Sequence, residues 1–249
     1  MKKIVSSTFS KIVIAALIVA CFSGCVITNL SDSNSVKAKG SRESYEFKVG
    51  EYNSINIDGA CEVRYYSAPR DVVTLEVSPN LKEYYKVEVV NRELIVHNTK
   101  RVSFGSNNTP ILTVSTPVLN RLTLNGVGNF TTNDKIQSDE LTFIINGVGD
   151  SKAEIDVKSF YADVSGAGNL NVSGRADTAR LNLSGVGDLN ALSLQTRDTH
   201  VNLSGAGNVK VNCSDNLNIN ADGVGSVEYR GSPKLNLNKD GLVSIKQIN

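Results

Sequence analysis

The 249-residue sequence contains no Trp, one Met, two His, five Pro and four Cys. His97 and His200 stand alone, and no CxxC or HExxH spacing occurs, so no donor set suggests a metal site and no cofactor is expected. Lys and Arg total 26 against 25 Asp and Glu, with no basic run. That balance leaves no electrostatic footprint for nucleic acid and none for an anionic membrane surface. No apolar run reaches the roughly 20 residues of a membrane-spanning helix. What is abundant is Gly, at 20 residues, together with Asn. Both lower helix stability, and the composition points to strands and turns.

Residues 1–25 read MKKIVSSTFSKIVIAALIVACFSGC: Lys2, Lys3 and Lys11, then an apolar run from Ile12 to Phe22. A basic start followed by about eleven apolar residues has the layout of a secretory signal. The run closes on Phe22-Ser23-Gly24-Cys25, which resembles the lipobox of bacterial lipoproteins. That resemblance implies cleavage before Cys25, acylation of its thiol and new amino group, and, because Val26 follows, sorting to the outer membrane. Several acyl chains matter physically because one alone gives only marginal, reversible membrane binding. Removing residues 1–24 removes three Lys and no acid, leaving 23 basic against 25 acidic groups. Membrane attachment is thus expected through acyl chains rather than charge. Residues 25–44 are polar and Ser-rich and read as a lipidated N-terminus and flexible tether, and 45–249 as one domain. Cys61 and Cys213 remain in a compartment where a disulfide is allowed, but Cys213 continues the alternation Val209, Val211, Cys213 and reads as a buried apolar residue.

The domain is organised by a repeat. Gly-x-Gly pairs fall at Gly126/Gly128, Gly147/Gly149, Gly166/Gly168, Gly185/Gly187, Gly205/Gly207 and Gly223/Gly225, spaced by 21, 19, 19, 20 and 18 residues. The surrounding words, such as LTLNGVGNF, LNLSGVGDL and VNLSGAGNV, alternate apolar and polar residues up to a small polar residue and the first Gly. Period-two alternation indicates strands, and the polar-Gly cluster indicates a turn. A strand, a turn and a second strand in 18–21 residues make one coil of an all-β parallel solenoid, in which equivalent residues stack about 4.8 Å apart. Leu124, Ile145, Val164, Leu183, Leu203 and Ala221 are expected to form an inward stack, and Val127, Val148, Ala167, Val186, Ala206 and Val224 another at the turn. After the second Gly the residue runs Asn129, Asp150, Asn169, Asp188, Asn208, Ser226, an alternation that keeps carboxylates two layers, about 10 Å, apart. The glycines are expected as structural corners, since a strand and not a helix follows them, unlike a phosphate-cradling loop. Ile57–Val63 and Asp240–Ile245 are worn copies, expected to cap the stack. Residues 62–120 are strand-rich without the signature and read either as irregular coils or as a small separate β unit, the first being favoured.

The words TPVLNRLTLNGVGNF, VSGAGNLNV and DGVGSVEYRGSP resemble the bacterial head GIN domain family of auto-transporter adhesins over residues 45–249. The resemblance implies a right-handed parallel β-helix on an exported lipoprotein, and it carries no catalytic residues across.

Three classes of function follow. The first is a non-enzymatic, lipid-anchored envelope module for adhesion or surface interaction, touching membrane through its acyl chains and glycans or other envelope or host-surface polymers through its face. The second is a polysaccharide-degrading β-helix enzyme, which needs clustered carboxylates and a base. Its nearest constellation is Asp177, Arg180, Arg197 and Asp198, of which Asp177 and Arg197 share a register and suit a surface ion pair. The third is a sensing partner of an envelope complex. The first is the expectation carried forward.

Overall fold

The computed structural model describes residues 35–249. The expected export signal and Cys25 lie outside the described residues. Residues 36–249 form one unit.

The regular part is a parallel β-solenoid. Strands Ile136–Ile145, Ser151–Val164, Leu170–Leu183, Leu189–Leu203 and Ala206–Ala221 each continue around the coil and pair in parallel with the next. Register follows the repeat: Ile145 lies on Val164, Val164 on Leu183, Leu183 on Leu203 and Leu203 on Ala221. A one-residue slip would turn every apolar side chain outward, so the alternation fixes this register. The stack from Leu124 to Ala221 is buried and joins one continuous core. Within it, Phe143 packs edge-to-face with Phe130 and Phe160, at centroid distances of 5.8 and 5.5 Å. Cys61 and Cys213 are both buried and free. The Cys213 Sγ lies 3.1 Å from the carbonyl oxygens of Arg197 and Asn216, either of which can accept its one proton.

The amino-terminal end is stacked out of chain order. The worn copy, strands Ser54–Asp58 and Glu62–Ser67, does not cap the stack but lies inside it. On one side it pairs with Arg121–Leu124 and Phe130–Thr132, and on the other with Glu93–Asn98 and Ile111–Thr116. The later segment thus forms the outer coil. Three strands close that end in antiparallel fashion: Val72–Val77 on Ile111–Thr116, Glu43–Phe47 on Val72–Val77, and Tyr85–Val90 on Glu93–Asn98. Residues 62–120 are therefore one solenoid coil plus antiparallel cap strands. Buried tyrosines tie cap to coil, Tyr52 Oη donating to Ser115 O (2.8 Å) and Tyr85 Oη to Ala60 O (2.7 Å).

Part of the expected tether is also folded. Val36–Lys37 pairs in parallel with Val102–Ser103, and Arg42 Nη1 donates to Thr109 O (2.6 Å). The folded part begins near residue 36 rather than 45. The opposite end of the stack is the coil Lys234–Lys239 and Leu242–Gln247, paired on one side only among the described residues.

Candidate functional site

The Gly-x-Gly corner generates the most regular surface of the molecule. Alternation runs unbroken through it: Leu124 points in, Asn125 out, Gly126 in, Val127 out, Gly128 in, Asn129 out and Phe130 in. The glycines occupy the inward positions, where the chain folds closest to its neighbour. The Val186 amide donates to Gly166 O (3.0 Å), and a Cβ built on Gly185 would sit 2.1 Å from that oxygen. The second glycine of a pair adds a conformational need, as at Gly187 with φ of 141°. Gly126, Gly147, Gly166, Gly205 and Gly223 face carbonyls in the same way as Gly185, Gly128, Gly149, Gly168 and Gly225 share both features of Gly187, and Gly207 shares its close approach without the positive φ. Cys61 can replace the second glycine because its outer neighbour leaves the corner path, so that even Gly59 meets only the Asn98 side chain.

The residue between the glycines is consequently outward. The expected second inward stack is instead an exposed ridge, and this corrects the sequence expectation. Ala60, Val127, Val148, Ala167, Val186 and Ala206 follow one another in parallel bridges, and Val224 and Leu242 continue the row. Val127, Val148, Val186 and Val224 are 54–63% exposed and Leu242 82%. Eight layers at about 4.8 Å make a ridge about 34 Å long. Bare glycine on both sides leaves the six side chains from Val127 to Val224 standing above the backbone, while Ala60 and Leu242 have glycine on one side.

Two polar columns border the ridge. Preceding the first glycine are Asp58, Asn125, Asn146, Ser165, Ser184, Ser204, Asp222 and Asp240; following the second position are Glu62, Asn129, Asp150, Asn169, Asp188, Asn208, Ser226 and Ser244. Neither column contains a Lys or Arg. In the second, four successive side-chain oxygens accept the backbone N–H of the layer above: Asn129 Oδ1 from Asp150, Asp150 Oδ1 from Asn169, Asn169 Oδ1 from Asp188 and Asp188 Oδ1 from Asn208, at 2.9–3.1 Å. The amides of Asn169 and Asn208 also donate to the carboxylates below them, at 2.9 Å. Alternating Asn with Asp thus supplies donors where two carboxylates would repel. Further along the sheet, Asn202 Nδ2 donates to Asn182 Oδ1 (2.7 Å) and Asn220 Nδ2 to Asn202 Oδ1 (3.0 Å).

The far corner of the coil is charged instead. Asp177 and Arg197 share a register, but the ion pairs are Arg175–Asp177 at 3.6 Å and Arg197–Asp215 at 3.3 Å. Hydrogen bonds from Ser214 and then Arg197 hold the Asp215 carboxyl below its ordinary range. Asp198 accepts from Asn216 Nδ2 (2.6 Å), while Arg180 lies in the register of Tyr161 and His200. The four residues weighed for an enzyme therefore do not converge on one point. A shallow groove of about 460 Å³ beside Asp139, Asp156, Lys158 and Asp177 holds the exposed pair Lys158–Asp139 at 2.8 Å. Among the described residues no cluster of three or more His, Cys, Asp or Glu is placed to hold a metal ion.

The family model described as "Putative auto-transporter adhesin, head GIN domain" matches residues 51–233. The chain belongs to this head GIN family. Its matched span runs from the worn first coil to the last complete Gly-x-Gly coil, so the corner, the ridge and both polar columns fall largely inside it. Solved structures share the fold: an adhesin, so named provisionally, from Bacteroides fragilis (23% identity, TM-score 0.82, covering 86% of this chain and 100% of that one). Another from Parabacteroides distasonis has 22% identity and TM-score 0.68 over 86% of this chain and all of its own. A third, from the same species and named as a lipid binding protein, has 18% identity and TM-score 0.66 with the same coverage. No curated protein matches the sequence. At these identities the structural likeness is one of fold.

Proposed function

We propose that this head GIN protein is a lipid-anchored, non-catalytic module of the bacterial cell envelope that acts in adhesion or surface interaction. The family supports a surface role. The observation that carries the reading is the exterior of the solenoid: an apolar ridge and amide ladders that repeat layer after layer present a long, uniform contact surface. Such a surface suits many weak, equivalent contacts, whose strength comes from number rather than from one deep pocket. Enzymes of polysaccharide cleavage need a carboxylate pair and a base converging across a cleft, and the charged groups of the far corner are engaged in exposed pairs with one another.

Anchoring rests on the Ser23-Gly24-Cys25 motif after the apolar run. Residues 26–35 then separate the acylated Cys25 from the folded part, a contour of at most about 35 Å. The outer membrane is the expected location. The reading is tested by offering the mature chain to arrayed glycans, matrix proteins and envelope polymers, with product analysis in the same wells. Retention of an intact polymer is the expected result. Depolymerised glycan refutes the non-catalytic reading, and silence across the array favours a protein partner within an envelope complex.

A further inference from the structure

Two alternations run in the same phase through the four central layers of the corner. At successive layers the words are NGVGD, SGAGN, SGVGD and SGAGN, so that Val148 goes with Asp150, Ala167 with Asn169, Val186 with Asp188 and Ala206 with Asn208. The Asp/Asn alternation has an intramolecular cause in the hydrogen bonds between layers. The Val/Ala alternation has none: these side chains are exposed, and nothing in the chain packs over them. An exposed apolar row of this length signals an interaction surface.

We infer that the ridge is a self-association surface on which a second copy of this chain lies antiparallel. The match is one of period, size and charge. Both ridges share the same interlayer spacing, so their side chains stay in step along the whole length. With the full ridges overlaid antiparallel, Val148 meets Ala206 of the second copy and Ala167 meets Val186. The largest member, Leu242, meets the smallest outer member, Ala60. Large thus faces small in three of the four kinds of pair, the exception being Val127, which meets Val224. In the same register Asp150 faces Asn208 of the second copy, Asp188 faces Asn169, Asp222 faces Asn125 and Glu62 faces Ser244. Sliding by one layer either way brings Asp188 against Asp150 or against its own counterpart, and it sets Ala against Ala. The polar columns therefore select one register, in which the ridge also avoids Ala against Ala, with a like-charge contact only at the outer ends, between Asp58 and Asp240.

A strip about 34 Å by 12 Å covers about 400 Å² per copy, half of the roughly 800 Å² of a stable complex. Each pair is therefore weak and gains strength from many copies held at a surface. Antiparallel pairing also places the two capped ends, where Val36–Lys37 joins the fold, at opposite ends of the pair. This geometry suits copies on two facing membranes. That last point rests on the anchored-adhesion reading, whereas the pairing itself does not.

The test uses the mature soluble chain carrying Cys25→Ser, which leaves no other accessible native thiol, with Val127→Cys and Val224→Cys prepared as separate variants. Both positions are exposed, while the native Cys61 and Cys213 are buried and silent. With a short thiol-specific cross-linker at high protein concentration, the mixture is expected to give covalent dimer at least tenfold above either variant alone. Adding Val186→Arg, at an exposed site that tolerates the change, should lower that yield at least tenfold. Dimer from each variant by itself means parallel pairing and overturns the inference. No dimer in the mixture, or a monomer whose ridge variant loses only polymer binding, overturns it as well. Cross-linked dimer from a chain that supports no cell adhesion would leave the pairing standing and refute the adhesion reading.

Discussion

Gly185→Ala is the sharpest test of why the corner needs glycine. The added Cβ would lie 2.1 Å from Gly166 O and 2.7 Å from Ser165 C, both backbone atoms of the layer below. Real Cβ contacts need about an ångström more, so the layers must part locally. The hydrogen bonds at risk are Val186 N–H to Gly166 O and Gly185 N–H to Val164 O, each 3.0 Å. Losing net hydrogen-bond energy of about 1 kcal/mol for each, with overpacking strain of about 1–3 kcal/mol, gives a loss of about 3–5 kcal/mol. Reduced chain entropy in the unfolded state returns about 0.4–1 kcal/mol, leaving a net loss of about 2–5 kcal/mol. Urea unfolding followed by far-ultraviolet circular dichroism measures it. Gly50→Ala is the control, because nothing lies within 4 Å of its Cβ and it should shift stability by no more than about 0.5 kcal/mol. Gly59→Ala meets only the Asn98 side chain and should fall between them. A Gly185→Ala protein as stable as the Gly50→Ala control would refute the close-approach explanation.

Burial pushes the Cys61 thiol from 9.0 up to about 12. An acid whose folded pKa is raised contributes stability below its unfolded pKa that is lost as pH rises, so Cys61 should cost up to about 4 kcal/mol between pH 9 and 12. Urea midpoints across that window should fall less steeply in Cys61→Ala, and an unchanged slope would remove the thiol as the cause. Neither Cys61 nor Cys213 should react with a thiol reagent until the chain unfolds. Asp188→Ala deprives the Asn208 amide and backbone N–H of their acceptor and should cost about 1 kcal/mol by the same urea assay. Cys25→Ser should release the protein from membranes on fractionation, and fatty acid still attached to that variant would place the acyl chains elsewhere.

The repeat was legible because each coil must satisfy the same neighbours, so period-two alternation, corner glycines and the Asn/Asp order recur at fixed spacing. Leu124 to Ala221 could be read as one buried column for that reason. The outward ridge was also encoded, since alternation carried through Gly126 and Gly128 turns Val127 outward, but an apolar residue in a turn is easily taken for core. What the spacing does not encode is the stacking order at the amino-terminal end. Glu93–Asn98 and Ile111–Thr116 lack the Gly-x-Gly word because no further coil presses on their corner, and their pairing with Ser54–Asp58 and Glu62–Ser67 spans a long, irregular loop. The ion pairs of the far corner were equally hidden. Asp177 and Arg197 do align in register, yet each finds a partner elsewhere, in its own strand or the layer above.

Adhesion itself is the property to measure. Bacteria displaying the wild-type chain, Cys25→Ser or Val186→Arg would be counted on surfaces coated with the chain and with envelope polymers. Wild-type display should promote attachment, and Cys25→Ser should abolish that gain by releasing the protein. Val186→Arg should reduce attachment to the chain-coated surface while leaving the protein folded and anchored. Attachment unchanged between wild-type display and cells lacking the protein, on every surface offered, would contradict the account.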